Sequence, residues 1–272
     1  MAGISTFGAY VPWLRLSRGA IAQYWGGRAA PGEKAIANYD EDSITMGVAA
    51  GIDALGTLAR ERIDGVYFAT TTAPYKEKQS AQVIATALDL RRDVYTADFT
   101  DTLRAGTIAL KSALDAVGSK SMQHVLVIVA DTRTAVPKSA DEQIFGDGAV
   151  AFVVSNTGLA AKTLGDITLQ DEIMDVWRTD DDPFPQQWES RFIISEGYQK
   201  ITREAVEALL KKTKLEIGDF SKVAMYGPDP RSHAGAAQGL GLDANTQLQN
   251  GLFTTVGNTG TALAPMLLVG AL

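Results

Sequence analysis

The sequence contains no cysteine, and this absence excludes several kinds of site at once. Without a thiol the chain has no disulfide, no thiolate ligand for zinc and no cysteine nucleophile. Histidine is also scarce, with two residues among 272, and no tight spacing of carboxylates compensates for the shortage. The sequence therefore predicts no metal site.

Long apolar runs and an excess of positive charge are missing as well. No window reaches the ~18 uninterrupted apolar residues of a membrane-spanning helix. The first residues, Met1 to Ser5, lack the basic segment that begins a signal peptide. The net charge of −7 argues against nucleic acid as the main ligand. We therefore expect a cytoplasmic protein with neither membrane nor nucleic-acid partners.

Strand and helix signals alternate along the whole chain, and this alternation predicts an α/β protein with a largely parallel sheet. The clearest strand is the continuous apolar run His124 to Asp131, which is typical of a strand covered on both faces. In the second half, strands are expected at residues 167–173 and 222–226. We predict two halves, the first over residues 1–156 and the second over 157–272. The sequence stops inside an expected apolar helix, so the second half is predicted to be incomplete.

Two expectations concern the N-terminal part of the chain. The amphipathic stretch Trp13 to Trp25 predicts a short helix, which Gly26 and Gly27 would end. The polar stretch from Pro31 to Asp42 predicts a loop.

The chain is organised around a strand from Val94 to Phe99 and a helix that runs to about Val117. Apolar residues occupy almost every face of this helix, so we expect it to be buried. Many folds present a nucleophile at a strand-to-helix turn, because the helix start supplies free N–H groups and a positive dipole end. The residue at this turn is Leu103, so the site lacks a nucleophile there.

Asn258 and Tyr226 each allow two interpretations. Asn258 lies between glycines at a strand-to-helix turn, where its amide can donate to an oxyanion or cap the helix. Tyr226 ends an expected strand, where a phenol can transfer a proton or serve as a partly buried structural residue. Of the two histidines, His124 opens a buried strand and is expected to be structural, whereas His233 is expected at the surface.

Five segments together resemble the thiolase superfamily, and specifically its branch that is similar to 3-hydroxy-3-methylglutaryl-CoA synthase. They occur in the family's order and are Tyr39–Ser43, Ala73–Tyr75, Asp98–Thr107, Phe145–Ala149 and Gly257–Gly260. The resemblance implies a thiolase-like fold in which two βαβαβαββ halves stack as a layered αβαβα sandwich. It also implies an acyl-CoA site between the halves, with coenzyme A carrying the substrate, and usually a dimer.

The chain departs from that family at three catalytic positions. The resemblance places Leu103 where the family has the cysteine that forms the acyl-enzyme. It places Tyr226 at the family's histidine and Thr71 at its general acid/base glutamate. Of the usual catalytic set only Asn258 is retained. Leu103 cannot be acylated, so the resemblance predicts no chemistry through a covalent intermediate at this residue.

Arginine is the candidate residue type for binding the phosphates of coenzyme A, because a guanidinium matches phosphate geometry. Arg178 is the preferred candidate, since Trp177-Arg178 also resembles the family, and Arg104 and Arg231 are further candidates.

Two functions follow from the resemblance and its departures. One is a thiolase-superfamily enzyme, an acyltransferase or acyl-CoA aldolase, that makes or breaks a C–C bond beside an acyl-CoA thioester without an acyl-cysteine, as a homodimer. The other is a non-catalytic subunit in a hetero-oligomer, which pairs with an active thiolase-like chain or with an acyl-CoA-binding partner that has an OB-fold and a zinc ribbon.

Overall fold

A computed structural model describes residues 2–272. Its strands are β1 (Gly3–Tyr10), β2 (Leu14–Ser17), β3 (Glu33–Ile36), β4 (Gly65–Ala69), β5 (Tyr95–Phe99), β6 (Val125–Asp131), β7 (Gly148–Ser155), β8 (Ala161–Lys162), β9 (Val176–Trp177) and β10 (Gln186–Gln187).

The helices are α1 (Arg18–Trp25), α2 (Ser43–Leu55), α3 (Ser80–Ala87), α4 (Ala105–Gly118), α5 (Ala140–Ile144), α6 (Ser190–Phe192), α7 (Lys200–Thr213), α8 (Pro230–Gly239) and α9 (Leu263–Val269). A π-helical segment, Ile193–Gln199, joins α6 to α7, and short 3-10 turns cover Arg60–Arg62, Ile217–Asp219 and Gly260–Ala262. Within residues 2–272, none of these helices has the length and apolar character needed to cross a membrane.

One six-stranded sheet forms the centre of the molecule, in the order β5-β4-β6-β7-β1-β8. β4 pairs in parallel with β5 and β6, whereas β7 runs antiparallel to both β6 and β1. The prediction of a largely parallel sheet is therefore wrong, and the sheet is mixed. The connection from β6 to β7 contains only the short α5, which does not return the chain to the opposite end of the sheet as a parallel crossover requires.

Helices cover both faces of this sheet. Apolar residues of α2 and α3 pack on one face, against side chains such as Phe68 and Ile128. Apolar residues of α4 and α9 pack on the other, against side chains such as Val127 and Phe152. Every residue of β6 and β7 is buried, which confirms the strands predicted from continuous apolar runs. These elements form one βαβαβαββ half, which in chain order consists of β1, α2, β4, α3, β5, α4, β6 and β7.

The central helix α4 is buried along one face only. Ala105, Ala109, Ala113 and Val117 are buried, whereas Lys111 forms an exposed ion pair with Asp115 one turn away. The prediction of burial on all faces is wrong for the described residues, because they place no second sheet against the outer face of α4.

The second half differs from its predicted organisation. Residues 167–173 are irregular, and residues 222–226 contribute only an isolated parallel bridge between Val223 and Leu248. Both strand predictions are wrong, since a strand needs a neighbour to satisfy its backbone hydrogen bonds. β8 instead pairs with β1 at the edge of the six-stranded sheet. The division at residue 156 stays a prediction.

The structure also differs from the two predictions made for the N-terminal part of the chain. Residues 14–17 form β2 rather than helix, and β2 pairs with β3, which lies inside the predicted loop. The helix starts only at Arg18, a buried residue that donates to the carbonyls of Gln143 and Pro31, each at 2.5 Å, and to that of Phe253. These partners are distant in sequence, so a local pattern does not reveal them.

Asp98, in β5, supplies the cap that α3 lacks in its own sequence. Its carboxylate accepts from the backbone N–H groups of Ser80 and Ala81, both at 2.7 Å.

We expect Asp98→Ala to lower the free energy of unfolding by about 1–2 kcal/mol, as for loss of a helix cap. Urea unfolding checks this. Asp171→Ala, at an exposed residue of the irregular segment, is the matched control, and an equal loss in both variants would contradict the capping role.

Candidate functional site

A cleft of about 410 Å³ opens where β4, β5 and β6 end. These strands run in parallel, so their carboxyl ends meet at one edge of the sheet, where α/β proteins commonly bind ligands. The cleft is lined by the segments that follow the three strands and by the β9–β10 hairpin; the lining residues are 70–73, 75, 76, 100–103, 132–134, 176–180 and 185.

The carboxylate of Asp131 joins the segments beneath this cleft. It is fully buried and accepts from the hydroxyls of Thr70 at 2.9 Å, Thr71 at 3.0 Å and Thr72 at 3.1 Å. It also accepts from the backbone N–H groups of Thr71 at 2.7 Å and Thr261 at 2.8 Å. Five donors compensate the cost of burying the charge. Asp131 is therefore a structural hub.

Sequence reasoning did not identify Asp131. The available signal was a charged residue that closes a continuous apolar strand, since such a residue needs buried donors.

Thr71 binds this hub and also contacts two arginines. Its hydroxyl donates to Asp131 and accepts from Arg133 Nη1 at 3.5 Å, while its carbonyl accepts from Arg178 Nη2 at 2.7 Å. Thr71 and Leu103 line the same cleft, and Leu103 is half-buried two residues before the start of α4. The structure thus brings these two predicted positions together.

Asn258 and Tyr226 form a second pair, and neither is among the residues that line the cleft. The Asn258 amide nitrogen lies 3.3 Å from the Tyr226 hydroxyl and donates to the carbonyls of Gly227 at 3.3 Å and Pro228 at 3.0 Å. The Asn258 side-chain oxygen accepts from the N–H of Gly260 at 2.9 Å. The oxyanion role stays a prediction, and it would require the amide to release one of these carbonyls.

Burial raises the pKa of the Tyr226 hydroxyl, an effect that the hydrogen bond from Asn258 and the charge of Arg133 oppose. Tyr226 is therefore a neutral phenol near neutral pH. The hydroxyl of Tyr198 donates to the Tyr226 backbone carbonyl at 2.6 Å and thereby holds this segment in place.

Arg133 lies between the cleft and the glycine-rich turn that carries Asn258. It lines the cleft, and its guanidinium lies 4.4 Å from the centre of the Phe145 ring. Its backbone N–H donates to Asp147 at 2.6 Å, and its side chain packs against Gly260, where a Cβ would lie 2.9 Å from Arg133 Cδ. Sequence reasoning missed Arg133, because an arginine in a polar segment after a strand is ordinarily a surface residue.

The three arginines predicted to bind coenzyme A occupy different places. Arg178 lines the cleft, whereas Arg104 is exposed and donates to the carbonyl of Leu169 at 2.9 Å. Arg231 is exposed near the start of α8, where its backbone N–H donates to Asp229. The structure therefore places one of the three in the cleft, and their binding role stays a prediction.

The surface position predicted for His233 is wrong. This side chain is buried, its ring packs edge-on against Phe253 at 5.6 Å, and burial lowers its pKa. His124 is buried and lies 3.2 Å from Arg62, which agrees with its expected structural role. In the described part of the chain, no three His, Cys, Asp or Glu side chains are grouped to hold a metal ion.

The family model for 3-oxoacyl-[acyl-carrier-protein] synthase III matches residues 97–172. The hydroxymethylglutaryl-CoA synthase of Thermococcus gammatolerans is 32% identical over 262 residues, which span 94% of this chain and 75% of that protein. The hydroxymethylglutaryl-CoA synthase of Aeropyrum pernix is 34% identical, over 100% of this chain and 77% of that protein.

Structural comparison supports the same fold. A crystal structure of HMG-CoA synthase complexed with CoA superposes with a TM-score of 0.89 at 19% identity, over 98% of this chain and 74% of that one. The predicted thiolase-like fold is therefore confirmed.

A substitution at Asp131 tests the structural role of its carboxylate. We expect Asp131→Asn to lower the free energy of unfolding by about 3 kcal/mol, because an amide turns two hydrogens toward buried donors and leaves them unsatisfied. Urea unfolding measures the change. The control is Asp101→Asn, an exposed residue of the same cleft whose carboxylate accepts from the Thr100 hydroxyl. Equal stability of the two variants would contradict the role of Asp131.

Proposed function

The chain belongs to the hydroxymethylglutaryl-CoA synthase family of the thiolase superfamily, and from this premise we propose that it forms or cleaves a C–C bond beside an acyl-CoA thioester. The observation that carries the proposal is the cleft itself. It is open and polar, and it brings Thr71 together with Leu103, the position at which the resemblance expects a nucleophile. Because leucine cannot be acylated, the proposed reaction is of the aldol type and has no acyl-enzyme at this position.

The aldol route needs proton transfer rather than a covalent intermediate. In the condensing direction, a proton leaves the carbon beside the thioester, and the enolate carbon attacks a carbonyl carbon. The resulting alkoxide then takes a proton. A neutral phenol suits this last step as a general acid, and the raised pKa of Tyr226 keeps it protonated. In this proposal Asn258 orients the Tyr226 hydroxyl, and because Tyr226 does not line the cleft, its role requires this segment to approach the bound substrate.

Coenzyme A enters the proposal as the carrier of the substrate. One relative of the same fold has been crystallised in complex with CoA. In this chain Arg178 and Arg133 give the cleft a positive lining, which suits an anionic ligand. Leu103 would contact the acyl end through apolar packing.

A non-catalytic subunit is the second candidate, and one observation favours it. The amide hydrogens of Asn258, the retained residue of the family's catalytic set, face the chain's own carbonyls at Gly227 and Pro228. In this alternative the chain supports a thiolase-like partner or an acyl-CoA-binding partner with an OB-fold and a zinc ribbon. The enzyme is the better supported candidate, since the cleft is open.

Substitution of Tyr226 separates the two candidates. We expect Tyr226→Phe to lower turnover of β-hydroxyacyl-CoA or β-ketoacyl-CoA substrates about 100-fold, the usual effect of losing a general acid, while CoA binding is retained. Steady-state assays and calorimetry measure the two quantities, and Tyr24→Phe, at an exposed tyrosine of α1, is the control. Binding without turnover in the unmodified protein would favour the subunit.

The absence of cysteine permits a second test, which is independent of turnover. In Leu103→Cys the introduced thiol is unique, so its alkylation by iodoacetamide can be followed by mass spectrometry. We expect an S-methyl thioether analogue of CoA, which carries no thiol, to slow the labelling at least several-fold because it fills the cleft. Leu164→Cys, at a 75% exposed residue outside the cleft, is the control. Undiminished labelling of Leu103→Cys would count against the cleft as the CoA site.

A further inference from the structure

The segment of residues 224–228, which carries Tyr226, is not held by a sheet. Across the described residues 2–272, no backbone-to-backbone hydrogen bond reaches this segment. Its carbonyls therefore need donors from side chains. Asn258 donates to the carbonyls of residues 227 and 228, and Tyr198 donates to the carbonyl of Tyr226 itself. The position of the segment thus depends on side chains that are distant in sequence.

The hydrogen bonds to Tyr226 act at opposite ends of the residue. The Tyr198 hydroxyl donates to its backbone carbonyl at 2.6 Å, and the Asn258 amide nitrogen lies 3.3 Å from its phenol oxygen. The rings of Tyr198 and Tyr226 also meet edge-on, with their centres 6.4 Å apart. Burial raises the pKa of the Tyr198 hydroxyl, so this group remains a protonated donor near neutral pH. Tyr198 therefore acts on the main chain of Tyr226, and Asn258 acts on its phenol.

Tyr198 lies in the π-helical segment Ile193–Gln199, which is continuous with α6 and α7. A π-helical turn is rare and often occurs at functional sites, and its i→i+5 bonding changes the direction in which a side chain leaves the helix. The segment also packs closely on α8, where a Cβ at Gly235 would lie 3.2 Å from the Gln199 side-chain nitrogen. The Tyr198 hydroxyl is therefore presented to Tyr226 from a braced helix.

We propose that Tyr198 is the positioning residue of Tyr226: it fixes the main chain that carries the phenol and so decides where the proton donor stands when substrate is bound. The use of this phenol as an acid rests on the proposed function. Tyr198 does not line the cleft, so it acts only through Tyr226. Its loss leaves the binding of substrate intact and misplaces the proton donor.

Fluorine NMR tests the position of Tyr226 without a substrate. The protein labelled with 3-fluorotyrosine carries eight reporter rings, and Tyr226→Phe identifies the signal of residue 226 by its loss. We expect Tyr198→Phe, which keeps the packed ring and removes only the hydroxyl, to shift that signal. Tyr24→Phe, at a 79% exposed tyrosine of α1, is the control and should leave it in place. An unmoved Tyr226 signal in Tyr198→Phe would overturn the inference, whether or not the protein is an enzyme.

Steady-state kinetics with β-hydroxyacyl-CoA or β-ketoacyl-CoA substrates test the consequence for catalysis. We expect Tyr198→Phe to lower kcat about 10-fold, as for the loss of one hydrogen bond that aligns a reacting group, and to leave KM unchanged. Combining Tyr198→Phe with Tyr226→Phe should give a protein no slower than Tyr226→Phe alone, because the position of residue 226 matters only while the phenol is present.

The kinetic outcomes separate this inference from the function beneath it. Full kcat in Tyr198→Phe would overturn the positioning role and leave the proposed function standing. A further loss of kcat in the double variant would also overturn it, because Tyr198 would then support the fold in general rather than Tyr226. An unmodified protein without turnover would overturn the proposed function, and the fluorine signal would then decide whether Tyr198 positions Tyr226.

Discussion

The buried carboxylate of Asp131 is the interaction on which the site depends. It lies at the end of a strand that is apolar throughout, and it gathers hydroxyl and backbone donors from the end of β4 and from the turn before α9. A buried charge is tolerable only while its donors are in place, so the segments that supply them must stay together. The floor of the cleft is thereby tied to both the central sheet and the C-terminal helix.

Backbone contacts connect the glycine-rich turn before α9 to the rest of the molecule. The backbone N–H of Asn258 donates to the carbonyl of Ile144 at 2.7 Å. The backbone carbonyl of Asn258 accepts from the N–H of Gly146 at 3.0 Å. A Cβ at Gly146 would lie 1.9 Å from the carbonyl oxygen of Val256, so only glycine permits this approach. The position of Asn258, and with it that of Tyr226, is therefore set by main-chain geometry.

The site combines a well-braced scaffold with few reactive groups. Leu103 supplies no nucleophile, Thr71 donates its hydroxyl hydrogen to a structural carboxylate, and Tyr226, which does not line the cleft, offers a neutral phenol. Arg133 and Arg178 add positive charge to the lining of the cleft. This lining also carries threonine hydroxyls and Lys76 but no cysteine, so an acyl-enzyme on a thiolate is excluded.

The sequence by itself determined the features that depend on local pattern. These include the buried strands β6 and β7, the start of α4 just after Leu103, the glycine turn at 257–260 and the lack of a thiol nucleophile. Periodicity reports burial, and residue identity limits chemistry, without reference to distant partners.

Tertiary structure decided everything that depends on pairing across the chain. It paired β2 with β3, buried His233 against Phe253 and left residues 167–173 without a strand neighbour. It also brought Arg133 and Arg178, from distant segments, within hydrogen-bond distance of Thr71. A hydrogen-bond partner or an opposing charge contributed from many residues away leaves no trace in a local pattern, so these features appear only when the chain is folded.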